Sequence, residues 1–456
     1  MFRRVITHPP AVFGLTWFAQ LVSSLGSALA GFSVMVHVYR SSDSITEYSL
    51  ASFFSFLPMV LIAPVAGALV DRWDRRRIMV LADVGAGLTM LLMWLLLVAD
   101  GAGLWSLRSW HLYLPIAVCA AAGTFRALAY SASTALMVPK QHLGRANGLI
   151  ELALGIGQLG GPALAGLLVV RIGLQGVLLI NLGSFFLSAL VLLCVGFPQP
   201  EQSATARAAR GSLLEQMAVG WGFIQARPGL LGLLTCIAVA NLFVSLVTVL
   251  ITPMVLSFAD ASTLGWIASC SGMGVLTGAL LMSVWGGPRR RILGVLGFEL
   301  LAGLALFAAA LPADARLVAG AAFVFMFTTP GVMGCSQSIW QSKVPSELQG
   351  RVFAVRRMIA LSTPPVAALL SGPLADRFFE PWMAPGGALA GRFGPMLGVG
   401  PGRGIALLYL VLGVLCAVNV LVAWLSPRVR NVELELPDVL REPPSSVGPQ
   451  PAPTSA

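Results

Sequence analysis

The stretch Gly67–Asp83 reads GALVDRWDRRRIMVLAD. Six charges, Asp71, Arg72, Asp74, Arg75, Arg76 and Arg77, fall close together in it. On either side the chain is apolar for about twenty residues, the length that crosses a bilayer's hydrocarbon core as a helix. A charged knot between two such runs reads as a loop held at a membrane surface. Working outward from it gives twelve apolar runs: 12–38, 46–70, 78–98, 111–137, 147–170, 174–196, 229–258, 263–285, 292–311, 315–341, 353–379 and 404–426. The runs are continuous rather than alternating, which implies helices and not barrel strands.

Composition points the same way. Hydrophobic residues make up 57% of the 456 and charged residues only 11%, against about 25% charged in soluble domains. Mean hydropathy is +0.84. A water-soluble fold cannot hide so much apolar side chain, so the chain reads as an all-α polytopic membrane protein in a lipid bilayer. The net charge of +10 does not imply a nucleic-acid partner, because the arginines are dispersed among apolar runs and not gathered on one soluble face. Cys119, Cys194, Cys236, Cys270, Cys335 and Cys416 all fall inside apolar runs without a C-x-x-C pair, and read as small buried residues. His8, His37, His111 and His142 are scattered. With no Walker loop and no nucleophile beside a base, neither an enzyme nor a bound metal or cofactor is expected, and the driving force must be an ion gradient.

MFRR ahead of the first apolar run, with Ala28-Leu29-Ala30 inside it, mimics a signal peptide; but the run continues to about Tyr39, too long for one, and reads as a retained first span. Assigning loops alternately to the two faces gives about a threefold excess of Lys and Arg on the face of the N-terminus. Both termini are therefore expected in the cytoplasm, the protein sitting in the cytoplasmic (inner) membrane. Segment 201–228 reads as a cytoplasmic linker whose second part is amphipathic, with Leu213, Met217, Trp221 and Ile224 at helical spacing, suited to lying on a membrane surface. Segment 431–456 is Pro-rich and reads as a disordered tail. Segment 380–403 is rich in Gly and Pro, and fits a plain loop or an exit-side lid.

The chain also repeats itself. VPKQHLGR starts at Val138 and VPSELQGR at Val344, each between an even span and the next odd one, and each is followed one span later by Gly-Pro (Gly161-Pro162, Gly372-Pro373). Two related six-helix halves follow, 1–200 and 229–430, an arrangement found in secondary transporters.

On these residues the chain resembles the major facilitator superfamily over nearly its whole length. That family's loop between helices two and three carries G-x-L-x-D-R-x-G-R-R; Gly67, Leu69, Asp71, Arg72, Arg75 and Arg76 match, while Asp74 stands where Gly is usual. The family's exporter signature on helix five, G-x-x-x-G-P-x-x-G-G, is matched by Gly157, Gly161, Pro162 and Gly166, with Ala165 for one Gly. DRWDRRRIMVLAD, LGRANGLIE, LQGRVFAVRRMIA and GPLADRFFEP resemble the macrolide-efflux and enterobactin-exporter-like branch. The resemblance implies a major facilitator fold of twelve transmembrane helices in two pseudo-symmetric bundles. It also implies proton-coupled export of an amphipathic drug, siderophore or other natural product by a monomer.

It implies further that Asp71 faces the start of helix eleven, where Gly350 and Arg351 lie. A carboxylate at a helix N-terminus is favourable, and this contact forms only when the halves close on that face, making the knot a conformational latch. Helices one, four, seven and ten are implied to line the cavity, which nominates Gln20, Arg126, Asn241 and Gln337, with Tyr130, Met333 and Trp340 as apolar companions. Arg126 is the basic residue deepest in a span, so a cavity or a partner is expected for it. Asp83, Glu151 and Glu299 lie one or two turns inside helices three, five and nine, and pairing with loop arginines is expected. An importer or lysolipid transporter on the same fold stays open, as does a polytopic membrane enzyme, though the acidic and His clusters an enzyme requires are not seen.

Overall fold

The computed structural model describes residues 9–138, 143–196 and 213–435; within its helices, the side chains of Asp71, Arg72 and Glu151, among others, lie outside that description. Four helices open the chain: α1 (Pro9–Ser42), α2 (Ile45–Arg72), α3 (Arg75–Gly101) and α4 (Trp110–Met137). Leu143–Cys194 runs on as one helical stretch of 52 residues, about 78 Å of helix. A bilayer core of about 30 Å cannot hold it straight. The break comes at Gly173, with φ 67° and ψ 177°, a conformation open to glycine, and it separates α5 (143–172) from α6 (174–194). Then follow α7 (Leu213–Gln225), α8 (Pro228–Leu256), α9 (Ala261–Trp285), α10 (Arg291–Ala310), α11 (Ala315–Lys343) and α12 (Ser346–Leu374). A π-helical turn (Ala375–Phe379) leads into α13 (Glu380–Met383), α14 (Ala390–Leu397), α15 (Arg403–Leu425), α16 (Pro427–Arg430) and α17 (Val432–Glu435). Among the described residues, eleven helices are long and apolar enough to cross a membrane, one of them spanning both α5 and α6. The fold is an all-α polytopic membrane protein with twelve crossings.

Polar residues between the runs start the helices. The side chains of Ser44, Asp74, Asp260 and Asp314 accept hydrogen bonds from the first turns of α2, α3, α9 and α11. Asp74 does this at φ −62°. Asp74, where the family pattern has Gly, is thus an extended N-cap whose carboxylate accepts from the Arg76 N–H, a position that needs no glycine.

Across the two halves, α2 packs on α12 and α5 on α9. Small residues permit both approaches. A Cβ on Gly372 would sit 2.6 Å from the Thr46 Cα, and one on Gly166 2.6 Å from the Ala261 carbonyl oxygen. Both contacts lie at the face where α2 and α9 begin. Ser371 adds a hydrogen bond of 2.9 Å to Ser49 there, and Tyr48, Val249 and Ala368 form a small sealed core. At the other face, where α1 begins and α15 ends, a Cβ on Gly67 or Gly350 would meet nothing within 4 Å. The halves are closed at the face where α2 and α9 begin; at the face of the chain's ends, among the described residues, these two glycines show no such contact.

Three expectations change. The amphipathic segment is a helix, but α7 docks on protein: Ile224 is fully buried, and Gly220 lies so close that a Cβ would be 2.6 Å from the Arg351 carbonyl oxygen. Trp221 and Val219 stay exposed. Segment 380–403 is neither a plain loop nor a free lid. Met383 and Leu397 are buried in the core, and the Glu380 carboxylate accepts from the N–H groups of Gly402 and Ile405, capping α15 at 3.1 Å each. Disorder was expected from 431, yet 431–435 is ordered. Val432 is buried and the Glu433 carboxylate caps α10 through the N–H groups of Arg291 and Ile292; residues 436–456 lie outside the described residues.

Candidate functional site

The charged knot stitches its own half together. Arg75 donates to the Ala132 carbonyl near the end of α4 at 2.7 Å. Arg76 donates to the carbonyls of Leu192 and Leu193 in the last turn of α6. Cations at helix C-termini complement the helix dipole, so these two arginines tie the α3 start to α4 and α6. Arg77 is exposed and pairs with Asp74 at 3.7 Å. Gly67 and Gly350 are in open space, and Arg351 is exposed.

A counterpart stands at the closed face, and sequence reasoning missed it. Asp376, just beyond α12, accepts from the backbone N–H of Thr46 at 2.7 Å, from that of Ile45 at 3.3 Å, and from the Ser44 hydroxyl at 3.1 Å. One half's carboxylate thus sits on the other half's helix N-terminus. The signal was present: GALVDR at 67–72 and GPLADR at 372–377 share G-x-L-x-D-R. Of the helix-five residues, Pro162 and Gly166 serve the same seam, while Gly157 and Gly161 pack on α1 of their own half. Gly161 meets Ala28 of α1, Gly265 meets the Pro162 carbonyl, and Gly166 meets Ala261. Gly157 makes only an ordinary contact with the Ser24 carbonyl.

Inside the first half four helices converge on an ion pair. The Asp83 carboxylate (α3) is 3.2 Å from the Arg126 guanidinium (α4). Its other oxygen accepts from the Ser188 hydroxyl (α6) at 2.6 Å. Ser188 in turn accepts from Gln20 (α1) at 3.2 Å, and Arg126 also donates to Ser23. Asp83 is 1% exposed. The expectation that Asp83 pairs with a loop arginine is therefore corrected: Asp83 faces Arg126, which is itself deep in a span. Arg126 lines a cavity of about 390 Å³, otherwise walled by groups such as Met90, Met93, Ile116 and Phe185. Tyr130 lies away from it, in an apolar cluster with Val70, Ile78, Met79 and Leu192.

The second half gathers Asn241 (α8), Gln337 and Trp340 (α11) around a separate cavity of about 270 Å³, with Met333 beside them. Arg356 of α12, three turns in from Ser346, and Arg357 also line this cavity. Among the described residues, Glu299 (α10) pairs with no loop arginine, contrary to expectation. It accepts from the Cys236 thiol at 3.4 Å and from the Asn419 amide. Among the described residues, no group of three or more His, Cys, Asp or Glu could hold a metal ion.

Comparison with known proteins fits this architecture. The family model described as Major Facilitator Superfamily matches residues 16–363. The chain is 28% identical over 350 residues to an uncharacterized MFS-type transporter, YfiS, of Bacillus subtilis, covering 74% of this chain and 80% of that protein. It is 24% identical over 377 residues to macrolide efflux protein A of Streptococcus pyogenes, covering 80% and 89%. Among solved structures, a bacterial homologue of the human lysosomal transporter Spinster, inward-facing and occupied, superposes with a TM-score of 0.69 at 13% identity, covering 92% of this chain and 97% of that one. The chain belongs to the major facilitator superfamily and is a membrane transporter of that class.

Proposed function

We propose that this transporter exports amphipathic small molecules in exchange for protons, by alternating access between its two halves. Likeness to a macrolide efflux protein and the helix-five residues support export. The observation that carries the coupling is the buried Asp83–Arg126 pair beside an apolar cavity. Both termini lie in the cytoplasm on this reading, and the open face is the cytoplasmic one.

The cycle follows from charge. With the cytoplasmic face open, Asp83 is ionised and paired. Substrate enters from the cytoplasm or inner leaflet, and the halves rock. A proton from outside then neutralises Asp83, which leaves Arg126 without its counter-charge inside the membrane, a costly state. Arg126 must reorient, and the return to the first state releases the proton inward and restores the pair. Asp71, approaching the start of α12, latches the outward-facing state, and Asp376 on α2 latches the other.

The test is a susceptibility and accumulation panel in an efflux-deficient host expressing the protein, with and without a proton uncoupler. Lower accumulation that the uncoupler abolishes supports the reading. Higher accumulation favours import, and no change for any compound overturns drug export.

A further inference from the structure

Arg126 has its carboxylate; Arg356 has none. The Arg356 guanidinium donates to the Gln337 side-chain oxygen at 3.0 Å and to the Ser336 hydroxyl at 3.5 Å. Its Cζ lies 4.6 Å from the centroid of the Trp340 ring and 5.4 Å from that of the Phe353 ring. All four partners are uncharged. They fix the guanidinium in place, but none balances its charge, and among the described residues no carboxylate comes within ion-pair distance of it. A guanidinium has five N–H donors, so donors remain free toward the cavity that Arg356 lines with Asn241 and Arg357. Held against two aromatic rings and without a carboxylate partner among the described residues, it has the planar fork that recognises an oxyanion with two parallel hydrogen bonds. The remaining wall is apolar, including Leu234, Ile237, Met333 and Ile359.

We propose that Arg356, with Arg357 at the rim and Asn241 across the cavity, binds the acidic head group of an amphipathic organic anion, whose apolar body lies against that wall. The assignment rests on the transport reading above and names its substrate class. Arg356 is rigid where a flexible lysine would not be, so the site selects a planar carboxylate rather than any negative charge. Among the described residues the second half has no acid paired with this cation, and an internal carboxylate there would occupy the site.

The test is equilibrium binding to the purified full chain in lipid nanodiscs, corrected with empty nanodiscs. The probes are dansyl-undecanoic acid and its methyl ester, identical but for charge. The acid is expected to bind at least about tenfold more tightly than the ester, the size of a charge-assisted hydrogen bond. Arg356→Gln should bring the acid-to-ester ratio down to within about twofold of one. Equal binding of acid and ester to the unaltered protein overturns the proposal, whatever the folding of the variant. So does a preference that survives in Arg356→Gln. No transport is needed in this assay, so its failure leaves proton-driven export standing, and loss of export leaves the binding result standing.

Discussion

Replacing Asp376 by Asn should loosen the closed face by a calculable amount. Asp376 makes three contacts to the first turn of α2, the shortest at 2.7 Å to the Thr46 N–H. Asn keeps one acceptor oxygen and loses the charge and the second. A carboxylate at a helix N-terminus contributes up to about 2 kcal/mol when partly buried, and charge-assisted hydrogen bonds exceed neutral ones by a comparable margin. A loss of about 1–2 kcal/mol from the closed state is expected, with no change in the open state where the contact does not exist. That raises the open fraction roughly 5–30-fold. Ser49, buried and bonded to Ser371 in the seam, reports it. In a Ser49→Cys background, Asp376→Asn should accelerate labelling by a membrane-impermeant maleimide applied from the outer side, after subtraction of the parent without that cysteine. A labelling rate unchanged within about twofold would refute the reasoning, because a contact that holds the state cannot be removed without changing its population.

Other substitutions probe the remaining parts. Asp71→Asn should slow the same labelling and impair efflux at normal protein level, since the opposite latch is weakened; unaltered efflux and labelling count against it. Asp83→Asn should abolish uncoupler-sensitive efflux and lower stability by about 3–5 kcal/mol, because Arg126 is left as a lone buried charge. The double variant Asp83→Asn/Arg126→Gln should regain much of that stability in thermal unfolding but no transport. Gly166→Val should push α5 from α9, where even a Cβ falls 2.6 Å from the Ala261 carbonyl oxygen. Overpacking of about 1–3 kcal/mol should favour the open outer face, seen as faster labelling at Ser49→Cys.

Much of the fold was legible because membrane spans leave a coarse signal: length and continuity of apolar residues suffice. The repeat at Val138 and Val344 exposed the two halves for a similar reason, since it is local and sits in a topologically equivalent loop. What failed was partner assignment. Asp83 and Glu299 were placed one or two turns inside their helices and paired with loop arginines because depth along a helix was judged from run boundaries, and these shifted. α3 begins at Arg75 and α12 at Ser346, so Asp83 and Arg356 sit two to three turns inside. Which acid faces which base depends on helix rotation, and membrane helices here are apolar around most of their surface, leaving little periodicity to fix it. α7 failed differently. Its apolar stripe was correct, but a stripe does not say whether lipid or α12 covers it.

The two halves differ in how they handle charge, and that difference has a consequence for energetics. The repeat places Val332 in α11 where α4 has Arg126, each the same distance before its V-P-x4-G-R loop. The first half therefore holds a matched acid and base, whose net charge changes only when a proton binds. The second half holds Arg356, which among the described residues has no carboxylate partner and on the proposal above is balanced by a ligand. If one proton enters for each monoanion expelled, two positive equivalents move inward per cycle. Each is worth about 2.3 kcal/mol per 100 mV of membrane potential, so at about 100 mV the potential alone supports an outward gradient of more than about a thousandfold. Export of dansyl-undecanoic acid from energised vesicles should therefore fall when valinomycin and potassium collapse the potential at constant pH gradient. The fall should be at least as large as when nigericin collapses the pH gradient alone. Export that ignores the potential would mean that charge does not cross with the substrate, and would separate the Asp83 proton site from the Arg356 site as parts of one exchange.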